Sequence, residues 1–272
     1  YLNGKKLEGE KLRRVVLVLD ALKKKAKCKL KARVVSRNYF PTGTGLASSA
    51  SGFAALAIAG AKALKLKLSA AELSRVARLG SGSAARSVLG GFVEWRKGKR
   101  RDGRDCIAVQ IAKANHWKQL RDVIAIVEQK EKKVGSRKGM GITVKTSKEY
   151  KKRLKELPER TRKAKTAIKQ RKAPALFELA MQESDSLHAA IEDSKPKIRY
   201  LSDASERIMF IVRLLNAMER RTVAGYSFDA GPNAHIFCLE KDVGRVRKIL
   251  KRIKQVKRII VCGVGGKPLS SF

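Results

Sequence analysis

The sequence lacks several features that would assign it to a membrane or exported class. None of its apolar runs approaches the roughly 20 residues that a membrane-spanning helix requires. Its first residues, Tyr1-Leu-Asn-Gly-Lys-Lys, have the form of neither a signal peptide nor a transit peptide. We therefore expect a soluble, cytoplasmic protein with no membrane partner.

Cysteine and histidine are also scarce. The four cysteines form no C-x-x-C pair, and the three histidines do not have the spacing of metal ligands. These residues are Cys28, Cys106, Cys238, Cys262, His116, His188 and His235. We expect no structural metal, and the sequence does not determine whether any cysteines pair.

Acidic residues are few relative to basic ones. The chain has 63 Lys and Arg against 24 Asp and Glu, so its formal net charge is +39. The electrostatic field of so basic a protein attracts polyanions. The basic residues are nevertheless spread along the whole chain, and over 243–256 they fill the gaps between helically spaced apolar residues. Aromatic residues make up only 6%, with no RRM-like aromatic pair. These observations favour a solvated basic surface and no specific nucleic acid, while a basic nucleic-acid-binding protein stays open as an alternative from another class.

Hydrophobic spacing and capping signals predict an irregular α+β order of elements. Helices are expected over 9–27, 69–79, 174–190 and 203–219, with a long polar helix over 147–172 broken at Pro158. Strands are expected over 30–36, 91–95, 106–111, 120–127, 225–229, 235–239 and 258–264. A boundary near His116 predicts two domains, 1–115 and 116–272.

Two loops rich in glycine and hydroxyl groups precede segments of small residues. Pro41-Thr-Gly-Thr-Gly-Leu-Ala-Ser-Ser-Ala-Ser-Gly52 leads into an Ala/Leu-rich segment, which predicts a buried helix beginning near Ser48 or Ser49. Free N–H groups at a helix N-terminus and close glycine backbone suit a phosphate, although a plain helix cap is the alternative. Gly80-Ser-Gly-Ser-Ala-Ala-Arg-Ser-Val-Leu-Gly-Gly91 repeats the arrangement and includes Arg86. The second loop favours phosphate binding over simple capping.

Asp229 is the most prominent candidate for a catalytic carboxylate. It ends an apolar strand and is followed by Ala-Gly-Pro, a turn that would direct its side chain out of the sheet. An Asp at such a junction can instead cap its own turn. Together with the two loops and Arg86, however, it supplies what phosphoryl transfer needs: phosphate ligands, a carboxylate near a hydroxyl, and a cation.

Three segments resemble motifs of one known superfamily in the same order, and a fourth resembles one of its loops. Residues 41–52 are similar to the ATP/phosphate motif of the GHMP kinases. Residues 78–95 and 226–234 resemble the signature and the catalytic-aspartate segment of one branch, the diphosphomevalonate decarboxylases. Ser136-Arg-Lys-Gly-Met140 is similar to the substrate loop of that branch.

The resemblance implies a fold, a reaction and a set of site residues. The fold is a GHMP-kinase-like two-domain α+β fold, with a ribosomal-protein-S5-like N-terminal domain and a ferredoxin-like C-terminal domain. The reaction is ATP-dependent decarboxylation of (R)-5-diphosphomevalonate to isopentenyl diphosphate, with Mg²⁺ accompanying ATP. The implied catalytic residues are Asp229 and Arg86; the implied substrate-binding residues are Ser81, Ser83, Arg86, Ser136 and Met140; the implied ATP-binding residues are Gly43, Gly45, Leu46, Ala47, Ser48 and Ser49.

The sequence departs from the family pattern at two places. Ala85 stands where the family often has Cys, and the family's N-terminal Lys-Tyr-Trp-Gly-Lys-type motif has no counterpart in the 272 residues. We therefore expect this chain alone to be poorly folded or inactive. A related enzyme acting on mevalonate or mevalonate 5-phosphate, either a kinase or a decarboxylase, is the nearest alternative. A homodimer is the default expectation for the assembly.

Overall fold

The computed structural model describes residues 1–40, 46–127 and 134–269. The helices are α1 (Gly9–Ala26), α2 (Ser48–Ala63), α3 (Ala70–Gly80), α4 (Ala84–Ser87), α5 (Ser136–Thr146), α6 (Lys148–Lys169), α7 (Ala173–Glu192), α8 (Asp203–Met218) and α9 (Val243–Lys251). The strands are β1 (Phe92–Trp95), β2 (Ala108–Ala112), β3 (Leu120–Ile126), β4 (Ala224–Phe228), β5 (Ala234–Leu239) and β6 (Arg258–Cys262). The predicted α+β class is confirmed.

The chain divides into two units. The first comprises the described residues 1–40, 47–116 and 265–269, and the second comprises 46, 117–127 and 134–264. Each unit has a hydrophobic core of its own.

In the first unit, α1, α2 and α3 pack around a shared core. The small residues of α2 allow this close packing, because Ala54 and Ala57 are buried beside Leu22 of α1 and Val76 of α3. The capping box expected at Ser69 begins α3, since the Glu72 N–H donates to the Ser69 hydroxyl at 3.3 Å. Strands β1 and β2 form an antiparallel pair in the same unit.

In the second unit, an antiparallel four-stranded sheet has the order β4-β5-β3-β6. Helices α8 and α9 cover one face, where Ile208 and Leu250 pack on Val123 and Ile236. Helix α7 lies against edge strand β4 so closely that a Cβ on Gly225 would come within 2.4 Å of the Phe177 carbonyl oxygen. This contact brings the side chains of α7 to the edge of β4 that faces away from β5.

Two predicted features are wrong. Residues 30–36 do not form a strand, because the described structure gives them only an isolated bridge between Leu2 and Ser36 and hence no ladder to join. Pro158 does not break the polar helix, which continues as α6 through that residue. Packing of α6 along α7 offsets the hydrogen bond that proline removes.

Candidate active site

The first glycine-rich loop of the sequence precedes α2, and the residue before the helix is strained. Gly43 and Gly45 lie outside the described residues, and Leu46 is half-buried. Ala47 has a φ of 51°, a left-handed conformation that a residue with a Cβ rarely adopts. Within the described structure no side chain caps this helix start, and the first turn contains no acidic residue. Its N–H groups and partial positive charge therefore suit an anion.

Serine hydroxyls join the two predicted loops inside the first unit. The Ser49 hydroxyl oxygen lies 3.1 Å from that of Ser81, which in turn lies 3.3 Å from that of Ser83. Ser49 belongs to the first turn of α2, whereas Ser81 and Ser83 lie between α3 and α4. The structure thus brings three of the predicted site residues into one hydrogen-bonded cluster.

Close packing positions the second loop and requires its glycines. A Cβ on Gly80 would lie 2.1 Å from the Phe53 ring, and one on Gly82 would lie 2.7 Å from the Trp95 ring. Arg14 of α1 adds a tether, because its Nε donates to the Gly80 carbonyl at 2.6 Å. Its guanidinium also lies 4.7 Å from the centre of the Phe53 ring. Backbone and aromatic contacts therefore fix the segment that carries Ser81 and Ser83.

Arg86 lies on the short helix α4 and is exposed. No carboxylate pairs with it among the residues that the structure describes. A guanidinium in this state can hold a carboxylate or a phosphate through two parallel hydrogen bonds.

Asp229 directly follows β4 in the second unit and is also exposed. In the described parts of the chain its carboxylate has no cationic partner. The residue before it is held by α7: the Phe228 N–H donates to the Ser184 hydroxyl at 3.0 Å, and His188 Nε2 lies 3.3 Å from the Phe228 carbonyl oxygen. The carboxylate is thus free while its backbone is fixed.

The turn after Asp229 is held from its other side. The Gly231 N–H donates to the Asp229 carbonyl at 2.7 Å, and the Ser205 hydroxyl donates to the Pro232 carbonyl at 2.8 Å. Asn233 is fully buried and accepts the Val127 N–H at 2.8 Å. The predicted turn that directs Asp229 out of the sheet is therefore anchored to α8 and to the end of β3.

Two histidines near this turn have opposite pKa shifts. Burial lowers the pKa of His188, and its hydrogen bond to Phe228 only partly opposes that effect. Burial alone would also lower the pKa of His235, but the hydrogen bond and charge of Asp122 raise it, with the charge of Asp229 adding to them. His188 is therefore a neutral ring at pH 7, whereas the His235–Asp122 pair favours the imidazolium.

Ser136 and Met140 lie on the first turns of α5. The N-cap residue of this helix is Gly135, which has no side chain to cap it, and the first turn has no acidic residue. Met140 is 58% exposed. A Cβ on Gly139 would lie 2.2 Å from the Tyr200 hydroxyl oxygen, and Tyr200 belongs to an apolar cluster that also includes Ala230. One cluster thus supports both the start of α5 and the turn of Asp229.

Arg14, Ser184, His188 and Ser205 hold the site segments, and the sequence did not identify them. Each forms a hydrogen bond with a backbone group that is distant in the sequence. The separation is 66 residues for Arg14 and 44 residues for Ser184. One sequence signal could have pointed to two of them. Ser184 and His188 are polar residues four apart on the buried face of a helix, where a polar side chain needs a hydrogen-bond partner.

The described residues include neither a candidate metal cluster nor a helix that could span a membrane. In the described ranges no group of three or more His, Cys, Asp or Glu side chains could hold a metal ion. Over the same residues, none of the helices combines the length and the hydropathy that spanning a bilayer takes. A Mg²⁺ that accompanies ATP would take its oxygen ligands mainly from the phosphates, which suits a site rich in hydroxyl groups and helix N–H groups.

Two family models match the chain. The Diphosphomevalonate decarboxylase-like N-terminal domain matches residues 1–108, and the Mevalonate 5-diphosphate decarboxylase C-terminal domain matches residues 122–268. Among curated relatives, diphosphomevalonate decarboxylase mvd1 of Aspergillus fumigatus is 46% identical over 225 residues, which is 82% of this chain and 56% of the relative. The chain therefore spans little more than half the length of that relative.

Solved structures show the same fold. Mevalonate diphosphate decarboxylase from Staphylococcus aureus aligns with a TM-score of 0.89 and 34% identity, covering 98% of this chain and 80% of that one. MDDEF in complex with MVAPP, AMPPCP and magnesium aligns with a TM-score of 0.87 and 34% identity, with the same coverage.

Proposed function

The chain belongs to the diphosphomevalonate decarboxylase family, and from this we propose that it catalyses the ATP-dependent decarboxylation of (R)-5-diphosphomevalonate. The products are isopentenyl diphosphate, ADP, phosphate and CO2. The observation that carries this proposal is the carboxylate of Asp229, exposed and without a cationic partner among the described residues, on a turn anchored at both ends.

Asp229 acts on the 3-hydroxyl of the substrate. Its carboxylate orients that hydroxyl and accepts its proton as the γ-phosphoryl group of ATP is transferred to the oxygen. Phosphate then leaves with the pair of electrons of the C3–O bond, and positive charge develops at C3. The departing phosphate takes up the proton held by Asp229, so the regenerated carboxylate stabilises that charge, and loss of CO2 supplies the electrons of the new double bond.

Arg86 binds the carboxylate that becomes CO2. Its guanidinium has no acidic partner in the described chain, so it can bind the substrate carboxylate bidentately. Ser81 and Ser83 donate hydroxyl hydrogen bonds to the substrate, and Ser136 and Met140 contact it from the start of α5. A glycine at the N-cap and a first turn without an acidic residue support a role for Ser136, at the start of α5, in binding the diphosphate.

ATP is held by the segment that includes Gly43, Gly45, Leu46, Ala47, Ser48 and Ser49. The uncapped first turn of α2, with its hydroxyl groups and no acidic residue, supports phosphate binding there. When bound with ATP, Mg²⁺ neutralises phosphate charge and favours departure of ADP. Residues 1–115 form the ATP-binding domain in this proposal, and 116–272 form the second domain.

We further propose a cytoplasmic homodimer. All four cysteines are free thiols, which suits a reducing compartment. An exposed apolar stripe on α8 supports self-association: Phe210 is 66% exposed, Leu214 45% and Met218 75%. Sedimentation velocity tests this, because Leu214→Glu should convert a dimer into a monomer. A monomeric unaltered protein would refute the dimer.

Product analysis tests the proposed reaction. The protein is incubated with ATP and, separately, with mevalonate, its 5-phosphate or its 5-diphosphate, and both ADP and ¹⁴CO2 are measured. Equal amounts of ADP and CO2 from the 5-diphosphate alone are expected. ADP without CO2 would identify a kinase, and CO2 from the monophosphate would identify the related decarboxylase. Neither product from any substrate would reject an activity of this chain.

A further inference from the structure

Side chains of α7 form hydrogen bonds with the edge of β4 at its last residue, Phe228, which directly precedes Asp229. Within the described ranges strand β4 pairs with β5 on one side only, so its other edge has no strand partner there. Within an antiparallel strand the N–H and C=O of one residue point to the same side. At Phe228 both groups point to α7, where the Ser184 hydroxyl accepts the N–H at 3.0 Å and His188 Nε2 lies 3.3 Å from the carbonyl oxygen.

These two side chains form a buried pair. Ser184 is 3% exposed and His188 4% exposed, and they are four residues apart on one face of α7. The His188 ring also packs edge-on against the Phe228 ring, with 6.3 Å between the ring centres. The pair therefore holds the last residue of β4 by its N–H, its C=O and its side chain.

The protonation state of His188 follows from its surroundings. Burial lowers its pKa, although the charges of Glu192, Asp229 and Asp185 act in the opposite direction. Nδ1 is buried and has no hydrogen-bond partner among the described residues. A neutral ring with its hydrogen on Nε2 matches this arrangement, because only that tautomer can donate to the Phe228 carbonyl.

We propose that Ser184 and His188 are positioning residues that fix the peptide of Phe228 and thereby aim the carboxylate of Asp229. This role rests on the proposed function, in which Asp229 acts on the substrate hydroxyl. Asp229 shares a peptide bond with Phe228, so a rotation of that peptide moves its Cα and its carboxylate together. A misplacement of about 1 Å at a reacting group can cost about 100-fold in rate.

The other end of the same strand offers a matched control. Asn216 of α8 accepts the Val223 N–H at 2.8 Å and donates to the Ala224 carbonyl at 2.9 Å. Asn216 thus also bonds the backbone of β4 through its side chain. The bonded residue Ala224, however, is at the start of the strand, four residues before Phe228. Asn216→Ala should lower stability without moving Asp229.

Steady-state kinetics of ADP and CO2 formation provide the first measurement. Ser184→Ala and His188→Leu should each lower kcat by about 10- to 100-fold, while the KM for ATP changes by less than twofold. His188→Gln should recover most of kcat, because its amide nitrogen can replace Nε2 as the donor. Asn216→Ala should lower Tm and keep kcat within about twofold. Equal kcat losses in Asn216→Ala and His188→Leu, or no recovery in His188→Gln, would overturn the positioning role.

NMR of the unaltered protein tests the contact independently of turnover. Long-range ¹H–¹⁵N spectra should show His188 as the Nε2–H tautomer, and the Phe228 amide should exchange slowly with solvent, becoming faster in Ser184→Ala. The Nδ1–H tautomer or a fast-exchanging Phe228 amide would overturn the proposal even if CO2 is released. If these signals agree but no CO2 forms, the proposed reaction fails, and with it the role in catalysis.

Discussion

The hydroxyl oxygen of Ser49 lies 3.1 Å from the hydroxyl oxygen of Ser81. One belongs to the helix start proposed to bind ATP and the other to the loop proposed to bind the substrate. The bond therefore couples two binding segments that are 32 residues apart in the chain.

A double-mutant cycle across this bond should reveal that coupling. Ser49→Ala is expected to raise the KM for ATP and Ser81→Ala the KM for the substrate, each up to about tenfold, since a hydrogen bond contributes about 1 kcal/mol. In the double variant the combined rise in KM should be smaller than the product of the two single effects, because the first substitution already breaks the shared hydrogen bond. Ser51→Ala, an exposed hydroxyl on the same helix, is the control. Strict additivity would show that the two loops bind independently.

Asp229→Asn should abolish CO2 release while leaving nucleotide binding intact. The amide has nearly the shape of the carboxylate but cannot accept the hydroxyl proton or stabilise charge at C3, so a loss of about 1,000-fold or more is expected. Binding of a non-hydrolysable ATP analogue, measured by calorimetry, should change by less than twofold. Asp203→Asn removes the same charge from an exposed helix start and should keep the rate. A wild-type rate in Asp229→Asn would remove Asp229 from the mechanism.

Arg86→Lys should separate charge from geometry. Lysine keeps the positive charge but lacks the planar fork that holds a carboxylate by two bonds. We expect kcat/KM to fall about 100-fold in Arg86→Lys and somewhat further in Arg86→Ala. Arg101→Lys, an exposed arginine of the same unit, is the matched control. If Arg86→Lys kept full activity, simple electrostatic attraction would account for the role of Arg86.

The local features of the fold could be read from the sequence because they depend on neighbouring residues. The Ala-rich segment of α2 and the capping box of Ser69 and Glu72 involve residues within one or two helical turns. The strand expected over 30–36 was wrong because a strand needs a partner that no local pattern supplies. Pro158 was misjudged for the same reason, since packing on α7 is a tertiary effect.

The site itself was predictable only in part. Resemblance to family motifs made Asp229 and Arg86 candidates, and these two residues lie on an anchored turn and on a short helix. The residues that hold Asp229 gave no such signal, because His188 bonds the backbone of a residue 40 positions away. Which distant carbonyl a side chain meets depends on how α7 packs beside β4.

The His235–Asp122 pair should make stability depend on pH. His235 Nδ1 lies 2.8 Å from Asp122 Oδ2, and the pKa of His235 is raised above its usual 6.5. Because the folded pKa exceeds the unfolded one, the pair contributes its full stability below pH 6.5 and loses it as pH rises through the folded pKa. We expect the pair to contribute about 1 kcal/mol to the free energy of unfolding, as is usual for a charged hydrogen bond that is partly exposed.

Urea unfolding at pH 6 and at pH 9 measures this contribution. His235→Gln removes the titrating group but keeps a donor toward Asp122, so its free energy of unfolding should lie below that of the wild type at pH 6 and approach it at pH 9. His116→Gln, in the other unit, controls for the general effect of losing a histidine. His188 does not confound the comparison: its lowered pKa makes stability fall as the pH drops below 6.5, but the wild type and His235→Gln both contain His188, so this effect cancels in the difference between them. A difference between wild type and His235→Gln that is the same at both pH values would show that the charge on His235 does not stabilise the fold.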